Sequence, residues 1–416
     1  MDKVLMVAFH YPPWQGSSGI QRTLKFTRYL PDNGWCPLVL TANSRAYPAV
    51  SPDLLGEIPP GTVVRRAFAL DAARHLALSG RYPGWLAQPD RWVSWLVGAV
   101  PAGLALVRRH RPRALWSTHP IASAHLVGRA LARLTGLPWI ADFRDSMLDD
   151  EFPTDPLTRR SYGWVERQVV EHATRLVFTT ESTRRMYLAR YPQLPASRCL
   201  VIPNGYDEPD FAGIRLPEQG PKSPGAPVRL VHAGVIYPGE RDPSQFFAAL
   251  AQLKRAGQLR ATDCVFDLRA CGSEQYLARM ITDLDIGDLV RLLPALPYRA
   301  ALQDCADADA LLILQGASCN HLVPAKVYEY LRLRRPILAL TAHAGDTAGL
   351  LAETGGATVI DLADAAAIVA ALPPFVAAIR QGAHAVPGND VVLRYARSHQ
   401  AAELAHCLAA AAPGRG

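Results

Sequence analysis

Short apolar, often β-branched runs alternate with longer helical stretches along almost the whole chain; the alternation breaks once, at a proline- and glycine-rich segment, and then restarts. This rhythm is the signature of βαβ units, which build parallel sheets covered by helices on both faces. A rhythm that restarts implies two such sheets, so the fold class is α/β. In the first half the expected strands are 4–9, 38–41, 114–118, 139–143, 176–179 and 200–203. Among the helices between them are 19–30, stopped by Asn33-Gly34, and 121–134, stopped by Gly136 and Pro138. From 206 to 227 come Pro209, Pro217, Pro221, Pro224 and Pro227 with Gly213, Gly220 and Gly225, which reads as a linker. Beyond it, strands at 228–233, 264–270, 289–292, 310–314, 337–340 and 357–360 alternate with helices at 243–256, 274–284, 298–306 and 324–332. The domains that follow are 1–205 and 228–390. An Ala-rich helix over about 391–412 is able to pack back on the first domain.

The chain has enough residues for two cores: 416, of which 49% are hydrophobic and 19% charged. The formal charge of +7 suits phosphate-bearing small molecules, anionic lipid or nucleic acid. No zinc-finger spacing, aromatic RNA-binding signature or basic dimer helix is present, which sets nucleic acid aside. Seven cysteines without a C-x-x-C pair, most of them in apolar segments, fit a reducing cytoplasm. The opening apolar stretch, stopped by His10-Tyr11-Pro12-Pro13, is a first strand and too short for a signal peptide. The run 92–107 contains Pro101 and falls short of a membrane span, so it reads as a buried or interfacial helix. Trp85, Trp92 and Trp95 beside basic residues suit either core packing or contact with a membrane surface.

In open parallel sheets, ligands sit at the carboxyl ends of strands, so the loops that follow strands carry the candidates. After the first strand, Gly16-Ser17-Ser18-Gly19 opens a helix whose amides can meet phosphate or sugar oxygens, although G-x-G-x-x-G is lacking. His119 follows the third expected strand and Asp145 the fourth. In the second half, Gly234 and Arg241 lie in the loop after strand 228–233, and an arginine can fork two phosphate oxygens. The loop 315–323 contains His321 and leads to Pro324, placed at the first helical position, with Lys326 in the first turn and Glu329 one turn on. The helix amides there favour a diphosphate, and Glu329 can accept two ribose hydroxyls. A surface lysine and glutamate on an amphipathic helix would show the same pattern.

The run Pro324-Ala325-Lys326-Val327-Tyr328-Glu329-Tyr330-Leu331-Arg332, followed by Arg335-Pro336-Ile337-Leu338-Ala339, resembles the donor-binding helix of family 4 glycosyltransferases, especially those of bacterial surface polysaccharides. His10-Tyr11-Pro12-Pro13, Thr179-Glu181-Ser182, Ile202-Pro203-Asn204-Gly205-Tyr206-Asp207 and His232-Ala233-Gly234 with Arg241 follow in the family's order. The resemblance implies a GT-B fold of two Rossmann-like domains facing across a cleft. It also implies a nucleotide-sugar donor held by the second domain, a glycan or lipid-linked acceptor held by the first, and retention of configuration with no metal or other cofactor. It makes Glu329 the ribose ligand, Arg241 a diphosphate ligand, 16–19 the glycine loop and His119 a sugar contact. Arg241 and Lys326 would then stabilise the leaving diphosphate while His119 and Asp145 orient acceptor and sugar. The chain departs from the family at His321, where the first acid of E-x7-E is expected, and at Val235, where a second arginine is expected. A sugar-nucleotide epimerase or hydrolase on this fold, or a binding protein without catalysis, remain alternative readings. The expected location is cytoplasmic, with possible contact to the inner membrane face.

Overall fold

The computed structural model describes residues 1–412 except 17, 18, 151, 219 and 224. It divides into two compact units: Met1–Asn204 together with the chain from Arg397, and Gly205–Ala396.

The first unit holds seven parallel strands, β1 (Asp2–Val7), β2 (Trp35–Ala42), β3 (Val63–Ala67), β4 (Ala114–Thr118), β5 (Trp139–Phe143), β6 (Arg175–Phe178) and β7 (Cys199–Val201). Their order is β3-β2-β1-β4-β5-β6-β7. Strands buried on both faces read as continuous apolar runs, which is why the central ones are visible in the sequence. β3 is not, because it is an edge strand whose Val-Val-Arg-Arg-Ala turns Arg65 to solvent. Alternate residues of β1 enter different cores. Leu5 and Val7 join Leu115, Val127 and Leu131 on one face, while Val4 and Met6 join Trp116, Ile140 and Phe26 on the other. Leu404 and Leu408 of the helix Arg397–Ala411 complete that second core, and this helix packs on the helix Gly19–Tyr29.

The apolar run near 100 forms the helix Trp95–His110, which buries Trp95, Ala99, Gly103 and Leu106 on one side. A Cβ on Gly103 would come within 2.6 Å of Leu131 Cδ1, so a glycine is what lets this helix approach its neighbour Ala122–Thr135. Trp92 and Trp95 pack around Phe9, with ring centroids 4.9 and 5.4 Å away, whereas Trp85 is 71% exposed. Two of the three tryptophans therefore serve the core. No helix among the described residues is long and apolar enough to cross a membrane.

The second unit repeats the pattern with six parallel strands, β8 (Val228–Ala233), β9 (Cys264–Arg269), β10 (Val290–Leu293), β11 (Ala310–Gln315), β12 (Ile337–Thr341) and β13 (Ala357–Ile360), in the order β10-β9-β8-β11-β12-β13. The proline-rich stretch belongs in part to this unit. Tyr206 and Phe211, ring centroids 5.7 Å apart, are buried in its core with Val231 and Leu331. In both sheets the first strand lies beside the fourth, and the order runs away from that pair in opposite directions. Loops leaving two such strands diverge to opposite faces and open a crevice between them. The loops after β1 and β4, and after β8 and β11, are thus the places to look.

Candidate active site

In the second unit the β8 loop starts at Gly234, whose φ of +112° favours glycine; an added Cβ there would stand 3.0 Å from Lys326 Nζ. The loop after β11 leads to the helix Ala325–Leu333. Pro324 caps this helix from an extended conformation and is not its first residue, a one-position correction. Gln315, at the end of β11, donates to the carbonyls of Cys319 and Leu322 at 2.6 and 2.9 Å and so shapes the loop that carries the half-buried His321.

Lys326 Nζ lies 3.0 Å from His232 Nε2, and His232 Nδ1 lies 3.0 Å from the Leu312 carbonyl. A carbonyl can only accept, so Nδ1 carries the proton and Nε2 accepts from the lysine. Burial, then the charge of Lys326, holds His232 well below the usual histidine range. Burial, then the charge of Arg241, brings Lys326 down to about 7. Tyr330 Oη accepts the Ala233 N–H at 2.9 Å and pins the end of β8 to the helix. Arg241 donates to the Val235 carbonyl at 2.8 Å and stands over the Tyr237 ring at 5.3 Å. Glu329 accepts from Tyr298 Oη at 2.8 Å.

Lys326 and Glu329 border a cavity of about 330 Å³ whose walls include Ala270, Ala295, Leu296, Ala301 and Leu302. Apolar walls suit a flat base, Glu329 is spaced for sugar hydroxyls, and Lys326 at a helix N-terminus suits phosphate. The structure thus brings Gly234, Arg241, Pro324, Lys326 and Glu329 into one neighbourhood, with His321 on the adjoining loop. Val235, in the position of the expected second arginine, packs over Gly272. Sequence reasoning gave no role to His232, Tyr298, Tyr330 or Gln315. Only two of them lay in quoted runs, His232 at a strand end and Tyr330 in the run from Pro324 to Arg332.

In the first unit, His10 stacks on Trp14 just past β1, with ring centroids 4.4 Å apart. Gly16 has a φ of +131° and Gly19 opens the first helix, while Ser17 and Ser18 lie outside the described residues. His119 follows β4 and is buried. Burial, followed by the charges of His125, Arg144 and His10, holds its imidazole neutral, well below the usual range. Past β5 come Arg144, which is buried, and Asp145, which is half-buried. Asp142 accepts from Arg22 Nε and Nη2, both at 2.9 Å, and from Thr118 Oγ1 at 3.1 Å. Arg22 also donates to the carbonyls of Ile202 and Pro203, so one buried arginine ties together three chain segments, a role its sequence position does not suggest.

Other acidic side chains of the second unit hold basic groups at its surface. Asp285 and Asp288 hold Lys254, and Asp309 holds Lys222 and the Arg229 N–H.

Two parallel sheets of this order, each with its loops gathered at a switch point, make up the GT-B architecture. The fold is similar over nearly the whole chain to three solved structures. Sucrose-phosphate synthase from Thermosynechococcus elongatus has a TM-score of 0.65 at 14% identity, with 99% of each chain covered. HepE from Anabaena, solved in complex with UDP and glucose, gives 0.62 at 13%, covering 98% of this chain and 99% of that one. UDP-GlcNAc 2-epimerase from Methanocaldococcus jannaschii gives 0.55 at 9%, covering 98% and 99%. Residues 18–205 match the model of the glycosyl transferase 4-like domain. The chain is a glycosyltransferase with the GT-B fold. No curated protein sequence matches it.

Proposed function

We propose that the chain is a retaining, metal-independent transferase that moves a sugar from a nucleotide-sugar to a glycan or lipid-linked acceptor in surface polysaccharide synthesis, working in the cytoplasm at the inner membrane face. The observation that carries this reading is the Lys326–His232 contact at the head of the helix Ala325–Leu333, with Glu329 one turn on at the lip of an apolar-walled cavity. The spacing serves the parts of a nucleoside diphosphate in order. The base lies against the alanine and leucine walls, the ribose hydroxyls donate to Glu329, and the diphosphate meets Lys326, Arg241 and the first helix amides. Negative charge on the diphosphate grows as the glycosidic bond breaks, so these fixed donors bind the transition state more tightly than the ground state. HepE, similar in fold, binds UDP and glucose, which supports a donor of this class.

On the other side of the reaction, His119 and Asp145 at the carboxyl ends of β4 and β5 would orient the acceptor hydroxyl and the sugar. The neutral imidazole of His119 can give one hydrogen bond and take one, which suits hydroxyl groups better than a cation would.

A thermal-shift screen of the full chain against nucleoside diphosphates and their sugars tests the reading. A true ligand at 100 times its dissociation constant adds about 2.7 kcal/mol of stability, which is a shift of several degrees. At least one nucleoside diphosphate should stabilise the parent strongly and Glu329→Ala weakly. Stabilisation by none of them removes the proposal.

A further inference from the structure

Arg144 is 8% exposed, and among the described residues its Nε and Nη1 find no acceptor. Asp142 is already taken by Arg22 and Thr118, and the adjacent Asp145, whose charge acts on Arg144 more strongly than that of Asp142, makes no ion pair with it among the described residues. Only the backbone of Arg144 is engaged, its carbonyl accepting from Thr179 Oγ1 at 2.7 Å. A guanidinium cannot shed its proton at ordinary pH, so this is a fixed positive charge, largely out of water, with two of its three nitrogens unpaired among the described residues. Folding alone would select against such a group.

The groups around it share its condition. Among the described residues, His119, 4% exposed, has both ring nitrogens unpartnered, and Trp14 Nε1 also lacks an acceptor. The charge of Arg144 reaches both His10 and His119, and with burial as the larger cause it keeps both imidazoles uncharged. One permanent cation ringed by neutral donors matches an oxyanion attached to a hydroxylated body. A purely neutral sugar would leave the guanidinium uncompensated.

We infer that the carboxyl ends of β1, β4 and β5 form a subsite for an oxyanion, carboxylate or phosphate, carried by the acceptor, with Arg144 as its counter-charge. The inference rests on the reading of the first domain as the acceptor-binding half. It narrows that acceptor to an acidic saccharide or a sugar phosphate.

The test uses the full chain at low ionic strength as parent, Arg144→Met, Arg144→Lys and Lys326→Ala, with thermal shift and calorimetric titration of D-glucuronate, inorganic phosphate and D-glucose. Glucuronate or phosphate should bind the parent at least tenfold more tightly than glucose binds, and that binding should persist in Lys326→Ala, which lacks the donor-site lysine. Arg144→Met should bind the anion at least tenfold more weakly yet melt higher than the parent when no anion is present, and Arg144→Lys should fall between. Whichever anion binds identifies the source as carboxylate or phosphate. The inference is overturned if the parent binds neither anion, or if Arg144→Met binds like the parent. It is also overturned if Arg144→Met melts lower, which marks a structural arginine, or if Lys326→Ala abolishes binding, which places the anion at the donor site. The donor reading fails separately, through nucleoside diphosphates that ignore Glu329→Ala, and that outcome leaves the anion result standing.

Discussion

The two units share one sheet order and one switch-point geometry, yet they hold positive charge in opposite ways. In the second unit Lys326 sits beside a histidine nitrogen that can only accept, under the field of Arg241, and its proton is loosely held at about 7. In the first unit Arg144 is as buried as many core side chains and cannot give up its proton. One charge adjusts to what arrives and the other waits for it. A leaving diphosphate changes charge during the reaction, so a group that takes up a proton as negative charge builds is well matched to it. An acceptor's oxyanion stays constant, and a permanent cation suits that.

The sharpest way to break this comparison is to remove the adjustable charge. Lys326→Ala should lower the single-turnover rate by about 10²–10³, the usual consequence of losing one preorganised donor to developing charge. It should weaken binding of a nucleoside diphosphate while leaving nucleoside binding unchanged. Arg241→Ala should act in the same direction. A variant that bound and turned over donor like the parent would return the lysine to the surface-helix reading.

Glu329 sharpens the assignment of parts. Its carboxylate accepts from Tyr298 in the free protein and would accept from ribose in the complex. Losing a hydrogen bond to a charged group costs about 1.5–3 kcal/mol, so Glu329→Ala should weaken nucleoside and nucleotide alike by roughly 10- to 150-fold. Titration calorimetry with both ligands separates this pattern from that of Lys326→Ala.

The comparison also predicts a pH dependence. Lys326 is charged below about 7 in the free protein, and bound diphosphate should raise its pKa above that value. Binding then takes up a proton above pH 7, and diphosphate affinity falls with rising pH by at most about tenfold per unit. Lys326→Met should flatten the profile. The same depressed pKa has a linked effect on stability. Between about 7 and the unfolded value of roughly 10.4 the unfolded chain binds one more proton, so this lysine's burden on the free protein eases as pH rises. Arg144 should add no titration to anion binding in that range.

The sequence carried the fold well and the site partially, for reasons that differ by residue. β8 and β13 were legible to the residue because they are sharply bounded and mostly apolar or β-branched, β8 keeping Val228, Leu230 and Val231 buried around Arg229. The helix Pro156–His172 was not, because its exposed face mixes Leu157 and Trp164 with arginines and blurs the apolar period. Its Asp155 cap accepts from the Thr158 N–H at 2.7 Å, a signal that could have marked its start. Glu329, Lys326 and Arg241 stood out because a recognisable run surrounds them. His232, Arg22 and Arg144 did not, because their roles depend on partners up to 181 residues away, or on the lack of one.

The smallest expected effect concerns where each unit leaves apolar surface uncovered. In the first unit Leu78 and Trp85 are 84% and 71% exposed, with Arg81 between them in sequence, a combination suited to the boundary of an anionic bilayer. In the second unit the large exposed aromatics among the described residues are tyrosines, Tyr237, Tyr276 and Tyr298, whose hydroxyls make them poorer bilayer anchors than tryptophan. If the first unit rests on the membrane, Trp85→Ser should lose part of one side chain's transfer energy, about 1 kcal/mol, and weaken binding to vesicles containing anionic lipid by roughly fivefold. Tyr276→Ser, on the second unit, serves as the control and should leave binding unchanged. Raising the salt should weaken the parent and Trp85→Ser by the same factor, because the arginine contribution is screened and the apolar one is not. Equal vesicle binding by the parent and Trp85→Ser would separate the acceptor's oxyanion from any lipid anchor and leave Arg144 with a water-soluble partner.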